Sequence, residues 1–261
     1  MALNQNGNGS NKKRQALKTE WIFPLFTRPA RTTTAIVAQE KSVWLTPLLI
    51  LSVLVILAVV IGAPIKRNVI QMGSELPPDF QYYSPEMQEQ FFAAQAQQTS
   101  PLFLYVFPLI SGLLKVWAPW FLLSILMYLS LTLAGSRAGS IKSYNLVAWS
   151  MLPLAVRYLV QIPAMLFTKT VVSAPGFSGF IASDAAGISV YFRSLLGFID
   201  IYFIFHIILL LIGSVPLSGL PRTKAWIATA VSVLIVLLLM AIPGLLSSAL
   251  GGLSLRGGFY F

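Results

Sequence analysis

The sequence contains no cysteine, a single histidine and few charged residues. Without cysteine the chain forms no disulfides, no thiolate zinc site and no cysteine-ligated iron–sulfur cluster. Only 10% of the 261 residues are charged, 56% are hydrophobic, and the mean hydropathy is +0.77. A soluble domain of this length needs far more polar surface to cover its core. The composition therefore predicts an integral membrane protein.

Long apolar runs divide the chain into segments. A run of about 20 apolar residues is long enough to cross the hydrocarbon core of a bilayer as a helix. The predicted fold class is therefore an all-α bundle of five transmembrane helices within a domain covering residues 43–250. The predicted spans are about 43–63, 117–134, 145–167, 194–215 and 225–248.

The segments outside the spans have distinct compositions. Residues 1–20 are polar and predict a disordered basic tail, and residues 21–42 predict a cytoplasmic interfacial segment. Residues 64–100 predict an outer loop containing a short helix, with Ser84 as its N-cap and Pro85 as its first residue. Residues 251–261 predict an outer C-terminal tail. Residues 101–116 are predicted either to lie at the interface or to form a tilted extension of the second span.

The distribution of charge predicts the orientation in the membrane. The net charge is +10, and residues 1–42 hold seven Lys or Arg against two Glu. The loop 64–100 holds two basic and four acidic residues. Because cytoplasmic segments carry an excess of Lys and Arg, we expect the N-terminus inside and the C-terminus outside. The placement of the charge beside the apolar runs argues against a nucleic-acid partner.

Basic residues on the predicted cytoplasmic side form the clearest interaction signal. They are expected to contact anionic lipids of the cytoplasmic leaflet or the acidic surface of a partner. The alternative is that they only set the topology. These residues are Lys12, Lys13, Arg14, Lys18, Arg137, Lys142, Arg222 and Lys224.

Four ionisable residues fall inside the predicted spans: Arg157, Arg193, Asp200 and His206. Arg193 and Asp200 are seven residues apart and would share one helix face. Arg157 lies on the preceding antiparallel span at a similar depth, which favours a structural Arg157–Asp200 pair over a proton or substrate relay. His206 lies about 240° around the helix from Asp200, so the two side chains do not form a direct dyad. With one histidine in the chain, no metal site is predicted.

Two short motifs resemble catalytic signatures and are better explained as turns. The tetrapeptide GFSG, residues 176–179, matches the pattern around the serine of intramembrane proteases, but Ser178 falls in an outer loop and the only histidine lies far deeper. GSRAGSIKS, residues 135–143, lacks the spacing of a phosphate-binding loop. Neither motif supplies a coherent catalytic set, so neither an enzyme activity nor a cofactor is predicted.

Three passages carry a family resemblance: TRPARTTTAIVAQEKSVWLTPLLIL, LAGSRAGSIKSYNLVAWSMLPLAVRYLVQI and LLGFIDIYFIFHIILLLIGSVPLSGLPRTKAWIATAVSVLIV. Over roughly residues 24–248 the layout resembles the Yip1-domain family of polytopic membrane proteins. The resemblance implies five transmembrane helices and a cytoplasmic N-terminus, here in a prokaryotic cell membrane. Eukaryotic members of that family bind small GTPases, and some prokaryotic members are linked to ABC-type exporters. The acidic–aromatic signature of the eukaryotic members is not evident in this sequence.

The functional prediction is a non-enzymatic Yip1-like membrane protein that acts through protein partners. The predicted partners are other membrane proteins, such as ABC exporter subunits, in an accessory, scaffolding or trafficking-like role, with homo-oligomers left open. The alternative is a small proton-coupled or solute transporter that uses Asp200, Arg157 and His206. Breaks expected at Pro153 and Pro163 support that alternative, because interrupted helices can line binding sites.

Overall fold

The computed structural model describes residues 17–72, 80–171, 176–181 and 188–256. Two predictions fall outside the described residues. They are the basic contacts of Lys12, Lys13 and Arg14, and the part of the predicted outer tail formed by residues 257–261. The described part of the chain is all-helical and contains no strand. Five of its helices are long and apolar enough to cross a membrane, which confirms the predicted fold class.

Ten α-helices make up the described chain. Three short 3-10 turns, Thr19–Trp21, Phe80–Tyr82 and Gly176–Phe180, and one π-helical turn, Leu102–Val106, lie between them. The helices are α1 (Ile22–Thr27), α2 (Pro29–Val37), α3 (Leu45–Met72), α4 (Pro85–Gln98), α5 (Phe107–Leu133), α6 (Ser140–Ser150), α7 (Leu152–Thr168), α8 (Ile188–Phe198), α9 (Ile201–Ser218) and α10 (Arg222–Arg256).

The five candidate spans are longer than predicted in several places. They are Leu45–Gln71, Leu102–Leu133, Ser140–Thr168, Ile201–Ser218 and Arg222–Gly244. The second predicted span, 117–134, covers only the latter part of one continuous helix, so residues 102–116 extend that helix and form no separate interfacial segment. Likewise, α10 continues to Arg256, past the predicted end of the transmembrane domain at residue 250.

The outer loop also begins later than the predicted residue 64. Pro64 lies inside α3, which continues to Met72. A proline in a helix interior removes one hydrogen bond and usually kinks or ends the helix. Here its neighbours Ala63 and Ile65 are both buried in the bundle, and this packing holds the chain helical through the proline.

The fourth predicted span, one helix over 194–215, is wrong. α8 ends at Phe198 and α9 begins at Ile201, with Asp200 in an extended conformation between them (φ −147°, ψ −178°). Oδ1 of Asp200 accepts a hydrogen bond of 2.8 Å from the backbone N–H of Phe203. Aspartate is strongly preferred at this N-cap position and disfavoured inside helices, because its side chain competes for backbone groups. The same residue therefore interrupts the crossing and starts α9.

The third span has a smaller interruption at Met151, between α6 and α7. Pro153 follows in the first turn of α7, where its missing N–H leaves no intrahelical bond unmade. The side chains that meet at the centre of the bundle are apolar and almost fully buried. They include Trp149, Leu146, Met127, Leu209 and Leu210.

The predicted interfacial segment 21–42 is part of the helical bundle. α2 packs against α6 and α9, α1 packs against α2, and both Leu25 and Ile36 are fully buried. In the outer loop, α4 begins as predicted: Ser84 Oγ accepts a hydrogen bond of 3.3 Å from Met87 N–H, and Pro85 is the first helical residue.

Candidate functional site

The break between α8 and α9 carries an ion pair. Nη2 of Arg157, on α7, lies 2.6 Å from Oδ2 of Asp200, and the two side chains are 23% and 18% exposed. The other oxygen of Asp200 caps α9 through the N–H of Phe203. A charge-assisted contact of this length is among the stronger hydrogen bonds in proteins. One carboxylate thus holds a helix start and a guanidinium together.

The depth of this pair follows from the packing of α7 along α3. The N–H of Val43 donates to Asn145, and a Cβ added to Gly62 would lie 3.8 Å from the sulfur of Met165. The two segments therefore run side by side in the same direction, which places Arg157 level with residues 54–55 of α3. Because the apolar stretch of α3 covers residues 45–63, the Arg157–Asp200 pair lies near its middle.

α8 packs along the later part of α10. Tyr191 Oη donates a hydrogen bond of 3.1 Å to the carbonyl of Leu238, and Ser194 lies against Gly244. α9 is by itself the fourth candidate span, and α8 is a shorter apolar helix that continues beyond the ion pair. This arrangement resembles the interrupted helices in which many membrane proteins place polar groups at depth.

The GFSG motif forms the predicted turn, and it lies against the end of α8. Gly176 has φ +58°, a conformation that favours glycine. The N–H of Phe177 donates a hydrogen bond of 3.0 Å to the carbonyl of Ile199. A Cβ on Gly176 would lie 2.6 to 2.9 Å from the carbonyl oxygens of Ile199, Leu196 and Gly197. The motif therefore satisfies carbonyl groups at the helix end, and Ser178 is buried in the same turn.

Two other predicted site residues are placed apart from the ion pair. His206 is 4% exposed, lies close to the backbone of Ser150, and has no hydrogen-bond partner at Nδ1 among the described residues. Arg193 lies on α8, so the prediction that it shares a helix face with Asp200 is wrong, because the helix ends before Asp200. No hydrogen bond or ion pair within the described chain joins Asp200 to either residue.

Metal binding has no geometric basis in the part of the chain that the structure describes. No three His, Asp or Glu side chains come together there in a way that could hold an ion. Arg157 and Asp200 neutralise each other's charge, and the guanidinium already contacts one of the two carboxylate oxygens. The arrangement can hold a proton, orient helices or bind a small polar ligand if it opens.

Sequence reasoning missed a buried amide that fixes the end of the bundle. Oδ1 of Asn145, on α6, accepts the N–H of Val43 at 2.8 Å, and Nδ2 donates to the carbonyl of Lys41 at 2.9 Å. Trp149 Nε1 also donates to the carbonyl of Val43 at 3.0 Å. The only available signal was a lone amide at the start of an apolar run.

The basic residues of the two short turns lie at the same end of the bundle. Ser136 Oγ donates a hydrogen bond of 3.0 Å to the carbonyl of Ser218, which holds the α5–α6 and α9–α10 turns side by side. The guanidinium of Arg222 lies 4.0 Å from the ring centre of Trp226. Arg137, Arg222 and Lys224 are exposed and Lys142 is partly exposed. Lys18 pairs with Glu20 at 3.4 Å.

Five long apolar helices joined by polar turns, with an ion pair among them, define an integral, multi-pass membrane protein. Over residues 23–243 the chain matches the sequence model of the Yip1 domain. That match covers most of the chain, which therefore belongs to the Yip1 family, a family of membrane proteins not known for catalysis. A search of curated proteins and a search of solved structures each gave no match.

Proposed function

We propose that this protein is a non-enzymatic, multi-pass membrane protein that acts through protein partners on its cytoplasmic face, as an accessory or scaffold of an ABC-type exporter. The observation that carries this proposal is the pair of basic turns held together by the Ser136–Ser218 hydrogen bond. With the N-terminus inside, both turns face the cytoplasm, in keeping with the excess of basic residues on that side.

The basic turns have the properties of a docking surface. Arg137, Lys142, Arg222 and Lys224 form no ion pair with any described residue, so their charges are available to an acidic partner. Complementary charge accelerates association and selects among partners. The surface is also fixed in shape, because Asn145 and Trp149 fasten the start of α3 to α6 next to it.

The experiment is a mild-detergent purification of the tagged protein from its native membrane, with mass spectrometry of the proteins recovered. We expect exporter subunits, or another membrane complex, in stoichiometric amounts. The double variant R137Q/K142Q should lose them, whereas K66Q/R67Q, a matched pair of exposed basic residues near the other end of α3, should retain them. Recovery of the protein alone in all three preparations would contradict the proposal.

A second candidate function, a small proton-coupled or solute transporter, is favoured by one observation. The Arg157–Asp200 pair lies near the middle of the apolar region and at the break of a crossing helix, where ionisable groups in membrane proteins often form substrate or proton pathways. In proteoliposomes, a transporter would lose proton-coupled flux in the folded variant Asp200→Asn. A partner protein would show no such flux in either form.

A further inference from the structure

The first two helices form a hairpin that is built into the bundle. We refer to residues 22–37, which comprise α1 and α2, as the N-terminal hairpin. Its inner face holds the fully buried Leu25 and Ile36. Trp21, just before it, lies edge-on to Trp149 with ring centres 5.3 Å apart, and Phe26 lies 5.8 Å from Phe205. The hairpin is therefore fixed in position, and its opposite face has a fixed direction.

The hairpin lies beside the first turns of α3. The N–H of Lys18, which precedes the hairpin, donates a hydrogen bond of 3.1 Å to Thr46 Oγ1. Trp44, at the start of α3, contacts Trp120 at 4.7 Å and Trp117 at 6.4 Å between ring centres. Tryptophan side chains are enriched where the bilayer meets water. The apolar helix α3 also begins here, at Leu45, so we place this level of the bundle at the membrane interface.

The exposed surface of the hairpin carries a large apolar side chain and two cations. Phe23 is 75% exposed, and Arg28 and Arg31 are exposed on the same stretch. The sequence has no acidic residue between 21 and 39, and the preceding Glu20 is paired with Lys18. Neither arginine forms an ion pair within the described residues. Arg28 is the N-cap of α2 and Arg31 is in its first turn, so both guanidinium groups can reach the same layer.

We propose that the N-terminal hairpin binds the phosphate groups of anionic phospholipids, with Arg28 and Arg31 contacting the phosphates and Phe23 inserted among the acyl chains. Arginine matches phosphate oxygens with two parallel hydrogen bonds. An apolar side chain flanked by basic residues on a surface helix is typical of binding in the interface plane. An acidic protein segment would have no use for the exposed Phe23. This inference goes beyond the proposed protein partners, and it depends on the proposed orientation only for the choice of leaflet.

The test uses the purified full-length protein in nanodiscs of phosphatidylcholine with increasing amounts of brominated phosphatidylglycerol. Bromine quenches tryptophan fluorescence on contact, and Trp21 and Trp44 lie beside the hairpin. Relative to brominated phosphatidylcholine, the anionic lipid should quench at lower mole fraction, and added salt should weaken the preference. The double variant R28Q/R31Q should lower the relative affinity by about fivefold for each arginine removed.

Two control variants keep the test decisive. R28K/R31K retains the charge and should retain most of the preference, whereas K66Q/R67Q changes an exposed basic pair near the other end of α3 and should leave it unaltered. Equal quenching by the two lipids in the native protein would overturn the proposal, as would a preference that survives in R28Q/R31Q or disappears only in K66Q/R67Q. Because the nanodiscs contain no protein partner and both leaflets are alike, the outcome is independent of the proposed accessory role and of the orientation.

Discussion

Arg157 and Asp200 lie 2.6 Å apart, although the segment between α7 and α8 and the whole of α8 separate them in sequence. Asp200 serves two groups at once, because its second oxygen caps α9 through the N–H of Phe203. A charge near the middle of the apolar region is costly, and pairing with an opposite charge reduces this cost. The pair therefore couples the position of α7 to the place where α9 begins.

Replacing Asp200 should separate its two roles. Asp200→Asn keeps an oxygen for the Phe203 N–H but leaves Arg157 without a counter-charge, and we expect a loss of about 2–3 kcal/mol in unfolding free energy. That value is below the range for fully buried pairs, because about a fifth of each side chain is exposed. Asp200→Ala should cost about 1 kcal/mol more through loss of the cap.

Denaturant unfolding in detergent micelles, followed by circular dichroism, measures these differences. The double variant R157Q/D200N provides the control, since it removes both charges and should be more stable than the sum of the two single changes predicts. Strict additivity would show that the two side chains do not interact in solution.

Asn145→Ala should destabilise the end of the bundle near the N-terminal hairpin. The change leaves the N–H of Val43 and the carbonyl of Lys41 without their partner, and each unsatisfied group costs about 1–3 kcal/mol where it is shielded from water. Asn68→Ala on the exposed surface of α3 is the matched control and should leave the melting temperature unchanged. Equal melting temperatures for both variants would refute the importance of the amide.

Gly176→Ala should loosen the turn that ends α8. The alanine Cβ would meet three carbonyl oxygens at 2.6 to 2.9 Å, at a positive φ that disfavours a side chain. Such strain costs about 1–3 kcal/mol. Gly139→Ala is the control, because a Cβ there meets nothing within 4 Å. Limited proteolysis should cleave the Gly176 variant faster between α7 and α8, and an identical cleavage rate in the two variants would argue against the packing described.

The proposed orientation can be tested because the chain has no cysteine of its own. A single cysteine at Gln97, exposed at the end of α4, should react with a membrane-impermeant maleimide added to intact cells. A cysteine at Thr223, exposed in the first turn of α10, should react only after the membrane is permeabilised. The reverse pattern would place the N-terminus outside and remove the basis for a cytoplasmic docking surface.

Local sequence rules predicted the features that depend on nearest neighbours. The five apolar helices follow from composition and length alone, and the start of α4 follows from Ser84 and Pro85. The contact between Arg157 and Asp200 was also accessible, because two opposite charges at similar depth on neighbouring antiparallel segments have few other partners. Its role, whether structural or as a relay, remains a prediction.

The same rules failed where one residue was compatible with two local structures. Asp200 inside an apolar run indicated a charge on a continuous helix, whereas its preference for the N-cap position made it a helix start. Arg193 was assigned to the face of Asp200 by counting residues along a helix that in fact ends between them. Asn145 gave no local signal, because its partners lie about a hundred residues away in the chain.

The sequence by itself determined that this protein crosses a membrane and belongs to the Yip1 family. Backbone groups in hydrocarbon must be satisfied internally, which the long apolar runs achieve as helices, and the family pattern runs along most of the chain. Only the tertiary structure decided where the fourth crossing breaks, which side chain Asp200 pairs with, and that the N-terminal hairpin is packed into the bundle. These features depend on which helices become neighbours, and contacts between distant segments leave no periodic trace in either segment.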